Sequence, residues 1–178
     1  MLKRREILFL CFFDSGFPKS KTLVDFIPGK VLENFSVRQS PIKSLDGIES
    51  APRIHRLQLA YNRNLADIFA LRSLNKTLRY LEIDTCGKIR DFSVLNELHN
   101  LEFLILKGSN TIPNLSFLNY MPKLKNLHLT MDVEDGDLSL CKQLPYARIK
   151  NRKHYSLKDN ELQKNYTDPQ KTIPFEVV

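Results

Sequence analysis

One spacing governs this sequence. The segments "SLDGIESA" from Ser44, "DIFALRSL" from Asp67, "DFSVLNEL" from Asp91, "NLSFLNYM" from Asn114 and "DLSLCKQL" from Asp137 begin 23, 24, 23 and 23 residues apart. Each opens on Ser, Asp or Asn and carries an apolar residue at its second, fifth and eighth places. Ahead of them stand "LENFSV" from Leu32, "IHRLQL" from Ile54, "LRYLEI" from Leu78, "LEFLIL" from Leu101 and "LKNLHL" from Leu124, all L-x-x-L-x-L with conservative exchanges. The last two apolar positions of these strings alternate with outward residues, the period of a strand with one buried face. Apolar residues at every third place suit a short helical or 3-10 turn lying over a core. The leading Ser, Asp or Asn suits a cap that accepts a hydrogen bond from an unpaired backbone N–H. A unit this short cannot bury its apolar face alone, so neighbours must stack, and about three or more are needed for stability.

Between the two halves, Cys86 and Ser109 stand where a small polar side chain bonds loop backbone, and Leu65, Ile89 and Ile112 return the chain to the interior. With these residues the pattern resembles the leucine-rich repeat, L-x-x-L-x-L-x-x-N/C-x-L, in the short form of internalin-like bacterial proteins. The resemblance covers five units, residues 32–146. It implies an α/β fold: a right-handed solenoid with a concave parallel β-sheet and short helical or 3-10 turns on the convex side. In the fifth unit the inward apolar place falls on Asp135 within "MDVEDGD", with Val133 as the substitute if the loop shifts. Internalins are exported and surface-anchored, with a signal and a wall-sorting tail. Neither is evident in this sequence, so their role in invasion is not carried over.

The flanks read as caps, residues 1–31 before the repeats and 147–178 after them. Ile7, Leu10 and Phe12 fit the strand triad one repeat ahead of Leu32, which makes "ILFLCFF" a degenerate first strand. Leu23 and Ile27 are expected to plug that end of the core, and a last strand is expected around Ile149. Beyond Asn165 the sequence has no period and reads as a loose or clasping tail. The basic, apolar opening has the look of a secretory signal, but Glu6 adjoins the apolar stretch and no small-residue cleavage site follows. A buried strand is the favoured reading, and with it a cytoplasmic location.

Charge and chemistry narrow the function. The net charge of +7 sits at the ends: residues 1–31 hold six Lys/Arg against three Asp/Glu, residues 147–178 seven against four, and residues 32–146 fourteen against thirteen. A nucleic-acid surface wants a basic stripe with aromatics on the folded face, so nucleic acid is an unlikely partner on this pattern. Cys11, Cys86 and Cys141 are odd in number and far apart, with no C-x-x-C, which points to neither disulfides nor zinc. Cys141 falls on an inward place and is expected to be an inert core thiol. His55, His99, His128 and His154 do not cluster with ligand-type residues. "DVEDGD" from Asp132 has its glycine one place early for a calcium loop, and Gln143 replaces the required Glu. No nucleophile-elbow, Walker or dinucleotide fingerprint occurs. No apolar run reaches the roughly 20 residues of a membrane span. The expectation is a non-catalytic monomer without cofactor or metal.

The concave face carries the functional expectation. Strand alternation sends Arg56 and Gln58, Tyr80, Glu82 and Asp84, Phe103, Ile105 and Lys107, and His128 outward. Tyr80, Phe103 and Ile105 should lie exposed on neighbouring strands, ringed by charges, as an interface core within a polar rim, the alternative being that a terminal segment folds over and covers them. Tyr61, Thr85 and Met131 in the following loops are expected to extend that surface, and swaps at Glu82 or Lys107 to cost little stability. The corresponding function is a module binding a protein or peptide partner on the concave face, with an immunity or regulatory role as its setting. The alternative is electrostatic docking of the basic termini to nucleic acid or an anionic membrane. A further alternative is that the chain is a fragment of a longer array.

Overall fold

A computed structural model describes Leu23, residues 32–173 and the backbone of residues 6–11. The proposed plug Ile27 and the last five residues lie outside the described residues. Seven strands form one parallel sheet in chain order: β1 (Glu6–Cys11), β2 (Leu32–Arg38), β3 (Arg56–Ala60), β4 (Tyr80–Asp84), β5 (Phe103–Lys107), β7 (Asn126–Leu129) and β9 (Tyr146–Ile149). A two-stranded ribbon, β6 (Thr111–Ile112) with β8 (Asp132–Val133), flanks it. Opposite the sheet run 3-10 turns at Ile48–Ser50, Phe69–Leu74, Ser93–Glu97, Ser116–Tyr120 and Ser139–Gln143. The molecule is a right-handed leucine-rich-repeat solenoid.

Each coil forms because its three inward segments meet the same segments of the next coil. Leu57, Leu81, Leu104 and Leu127 stand side by side across the sheet, as do Leu59, Ile83, Leu106 and Leu129. All are buried, together with the three apolar residues of every convex segment from Leu45–Ala51 to Leu138–Leu144. A single core therefore runs the length of the stack. The leading residues of the convex segments act as read from the sequence. Asp67, Asp91 and Asp137 accept from the N–H two residues on at 2.8 Å, and Asn114 does so at 2.9 Å. These side chains sit one position ahead of the assigned cap residue, because a 3-10 turn begins more tightly than an α-helix.

Between strand and turn, buried polar side chains satisfy backbone that no sheet partner reaches. Asn62 donates to Val37 O at 2.9 Å and accepts from Ser40 N at 2.9 Å. The Cys86 thiol points to Leu59 O at 3.6 Å. In the following coil the expected Ser109 is exposed, and Asn110 is buried in its stead, donating to Cys86 O and Ile89 O at 3.2 and 2.8 Å. Gly108 explains the shift. Its φ of 132° gives the chain a different exit from β5, and Asn110 reaches inward one residue later. In the fifth unit Val133 takes the inward place from Asp135, paired with Ile112 in the ribbon.

The stack ends are closed by chain outside the repeats. β1 pairs in parallel with β2, and Leu23 is buried and donates from its N–H to Asp46 O. At the other end Tyr155, Leu157 and Leu162 close the core. The outer edge of β9 is paired by residues 163–165 running antiparallel, with Ala147 N to Gln163 O at 3.1 Å and Asn165 N to Pro145 O at 3.0 Å. An open edge would expose unpaired backbone to other chains.

Two substitutions separate packing from polar satisfaction. Leu104→Asp buries an unpaired charge in the middle coil and should abolish the cooperative urea transition followed by circular dichroism. Asn110→Ala should lower stability by about 2 kcal/mol, since it strands the buried Ile89 carbonyl and removes one of the two donors to Cys86 O. Ser109→Ala should change it by less than about 0.5 kcal/mol.

Candidate functional site: the concave face

Strand register arranges the outward side chains in rows. Asn34, Arg56, Tyr80, Phe103, Asn126 and Tyr146 form one row, and Ser36, Gln58, Glu82, Ile105, His128 and Arg148 the next. Asp84 and Lys107 lie in the third, beside Ala60. The strand residues named from the sequence are thus brought together on one face of the sheet, while Tyr61, Thr85 and Met131 lie in the loops after β3, β4 and β7.

The exposure of that face differs from the expectation. Tyr80 is 4% and Phe103 1% exposed, because Ile173, itself 2% exposed, lies on them and closes a small second apolar cluster that Ile105 borders. The reason lies in the C-terminal segment, whose tail-like sequence gave only the option of a clasp. After pairing with β9 it turns onto the concave face, where Asn126 Nδ2 donates to Thr167 O at 2.7 Å and Thr167 N donates to Asn126 Oδ1 at 3.3 Å. A single helical turn, α1 (Pro169–Thr172), follows, with Asp168 accepting from Gln170 N at 2.9 Å, and delivers Ile173. Met131, expected to join the surface, is buried in the main core. Tyr61 is 48% exposed.

The polar centre of the face is a network rather than a solvated rim. Glu82 accepts from Gln58 Nε2 at 2.9 Å and from the Tyr80 hydroxyl at 3.0 Å, and pairs with Lys107 at 3.4 Å. Lys107 also approaches Asp84 at 3.9 Å. Arg56 stacks its guanidinium 3.8 Å from the Tyr80 ring centroid, and the Tyr80 and Phe103 rings lie 6.2 Å apart. Burial raises the Tyr80 hydroxyl above its ordinary value, with the Glu82 charge adding to the effect, so it stays a donor. For Glu82 burial pushes the carboxyl up, but the bonds from Gln58 and Tyr80 and the Lys107 charge outweigh it and hold the pKa below the ordinary 4.5. His128 is pushed down by burial and by Lys107 and Arg148, which keeps it neutral at neutral pH.

Beyond the covered aromatics the face opens into a pocket of about 400 Å³. Phe103, Ile105 and His128 from the sheet line it, with Tyr146 and Arg148 of β9 and with Tyr166 and Pro169 of the C-terminal segment. Tyr166 meets Tyr146 edge-on at 5.2 Å and remains 61% exposed. Tyr146, Arg148 and Tyr166 are the site residues that repeat counting missed. They lie at or past the end of the last unit, where the only signal was the last strand expected around Ile149. Cys86 and Cys141 are buried away from this face, and burial pushes their thiols up to about 11 and about 12. No group of three or more His, Cys, Asp or Glu among the described residues is arranged to hold a metal ion.

The Glu82 network corrects the expectation that charge changes there are neutral. A carboxyl whose folded pKa is depressed contributes stability that is present above its unfolded value and is lost as pH falls through the folded one. Glu82→Gln should therefore be less stable than wild type by about 1.5 kcal/mol at pH 7. Urea unfolding at descending pH should show this gap constant above the ordinary value of 4.5 and closing below it. A gap that widens in acid would contradict the network.

Comparison with known proteins bears on the fold. No protein-family model and no curated protein matches the chain. Among solved structures, internalin C2 of Listeria monocytogenes is similar with a TM-score of 0.53 and 22% identity, over 74% of this chain and 58% of that one. A second Listeria monocytogenes internalin, inlF, aligns with a TM-score of 0.44 and 18% identity, over 77% of this chain and 55% of that one. This chain spans a little over half the length of the internalins it matches. The resemblance read from the repeat holds in three dimensions: the fold is that of an internalin-like leucine-rich-repeat solenoid.

Proposed function

We propose that the protein is a non-catalytic interaction module that binds a protein or peptide partner on its concave face. The observation that carries this reading is the pocket beside β7 and β9. There a half-buried Ile105 and two aromatic walls, Tyr146 and Tyr166, adjoin an exposed Arg148. Apolar and aromatic side chains with an arginine at the margin are the composition of an interface centre. Tyr61 adds to it from the loop behind β3. Its φ of 58° is a left-handed conformation unusual for a bulky residue, and it holds a half-exposed ring at the rim of the sheet. Gln58, Glu82, Asp84, Lys107 and His128 form the polar surround, with Tyr80, Phe103 and Arg56 supporting it from beneath.

The folded face is also nearly neutral, and Glu82 and Asp84 neutralise the lysine at its centre. That favours contact-driven recognition over electrostatic docking. Contact-driven binding should change little with salt, whereas attachment through basic termini to a polyanion weakens steeply.

The test is quantitative capture of the native partner. Ile105→Ala with Arg148→Ala should weaken binding at least about 30-fold, corresponding to about 2 kcal/mol. Tyr120→Ser, on the convex side, should leave it unchanged, and both variants should keep a wild-type melting curve. Equal capture by all three proteins would remove the concave face as the binding surface.

A further inference from the structure

The C-terminal segment covers the concave face through two anchors of different chemistry. At one end the carboxamide of Asn126 pairs with both backbone polar groups of one residue, accepting from Thr167 N and donating to Thr167 O, as a neighbouring strand would. At the other, Ile173 fills the apolar seat made by Tyr80 and Phe103. The turn between them is held locally: Asp168 caps it, and Ile173 N donates to Pro169 O at 2.8 Å. The intervening residues are mostly exposed or half-exposed, as Tyr166 is above the pocket. A segment tied at two points and otherwise facing solvent has the features of the least stable part of a fold. Beneath it lies a ready-made recognition site: an amide reader, an aromatic seat and a hydrogen-bond network that already fixes the seat's tyrosine.

We infer that residues 167–173 occupy the concave site as an intramolecular ligand, and that the partner displaces them with a segment of the same kind. That partner segment offers the backbone N–H and C=O of one residue to Asn126 and, one helical turn further on, a branched aliphatic side chain to Tyr80 and Phe103. The inference rests on the concave face being the binding surface. It adds the chemistry of the occupant and a regulation, because a tethered segment competes at an effective concentration in the millimolar range for short linkers. A partner's apparent affinity falls by the fraction of molecules in which the segment is seated. The two aromatics are buried for this reason: uncovered, they would present an apolar surface to every passing chain.

The experiment uses the full chain and a fluorescently labelled synthetic peptide, NYTDPQKTI, corresponding to residues 165–173. In Ile173→Asp the tail loses its seat, since a carboxylate there would be desolvated among Tyr80, Phe103 and Ile105. The labelled peptide should bind this variant at least about tenfold more tightly than wild type, as a freed site requires. Adding Asn126→Ala should remove most of that gain. Circular dichroism and a cooperative melt establish that the variants are folded. If Ile173→Asp does not fold, Ile173→Ala should show the same order with a smaller ratio. Equal binding to wild type and variant, absence of binding to a folded variant, or binding indifferent to Asn126→Ala would each overturn the inference. Its failure is separable from that of the function. If Ile105→Ala with Arg148→Ala abolishes partner capture while the peptide ignores the site, the tail alone has been misread. If capture survives those changes, the concave face itself is wrong.

Discussion

Every feature of this molecule follows from one constraint: a coil of about 23 residues has no interior of its own. Its strand shows one apolar face and its convex turn three apolar residues, and neither is shielded until the next coil lies against it. Stacking in register solves the apolar and the polar problems together. The same translation that sets Leu81 beside Leu104 lets Phe103 N donate to Arg79 O at 3.0 Å. The positions where strand becomes turn are the weak points of this scheme, because the chain there leaves the ladder while still inside the core. Buried Asn62 and Asn110 and the thiol of Cys86 supply the missing partners. They are as much a part of the stack as the leucines, since an unpaired buried carbonyl costs about as much as a missing methyl pair.

A stack closed only by translation has two open ends and an open sheet edge. The C-terminal residues answer both needs. Tyr155, Leu157 and Leu162 cover the last apolar layer, and residues 163–165 pair the edge of β9. Having paired that edge, the chain has one direct continuation, onto the concave face. The covering of Tyr80 and Phe103 is therefore geometrically continuous with the capping of the solenoid. The part of the concave face left open is shifted toward β7 and β9, where Ile105, His128 and Arg148 line a pocket with Tyr146 and Tyr166.

Charge on the concave face is used inwardly. Glu82 is partnered on every side, by Gln58, Tyr80 and Lys107, and Arg56 stacks on the tyrosine ring. These contacts hold the aromatic seat in one conformation, so that whatever lies on it, the chain's own tail or a partner, meets a preformed surface.

Much of this was legible in the residues. Period, strand and turn positions, the inward leucines, the capping role of Asp67 and Asp91, and the parallel alignment of the outward side chains all follow from spacing, because local geometry repeats wherever the sequence does. The substitution of Val133 for Asp135 was legible too, as the one apolar neighbour available. Three things were not. Asn110 replaced Ser109 because a glycine changed the exit from one strand, a backbone effect that residue counting does not register. Glu82 proved structural because its partners come from neighbouring coils, about one repeat away on either side. Above all, the sequence determined which side chains face outward, but only the tertiary structure decided which of them meet solvent. That depended on where a segment without periodicity comes to rest, and its position is set by contacts of Thr167 and Ile173 with residues 41 positions or more away, not by any local pattern.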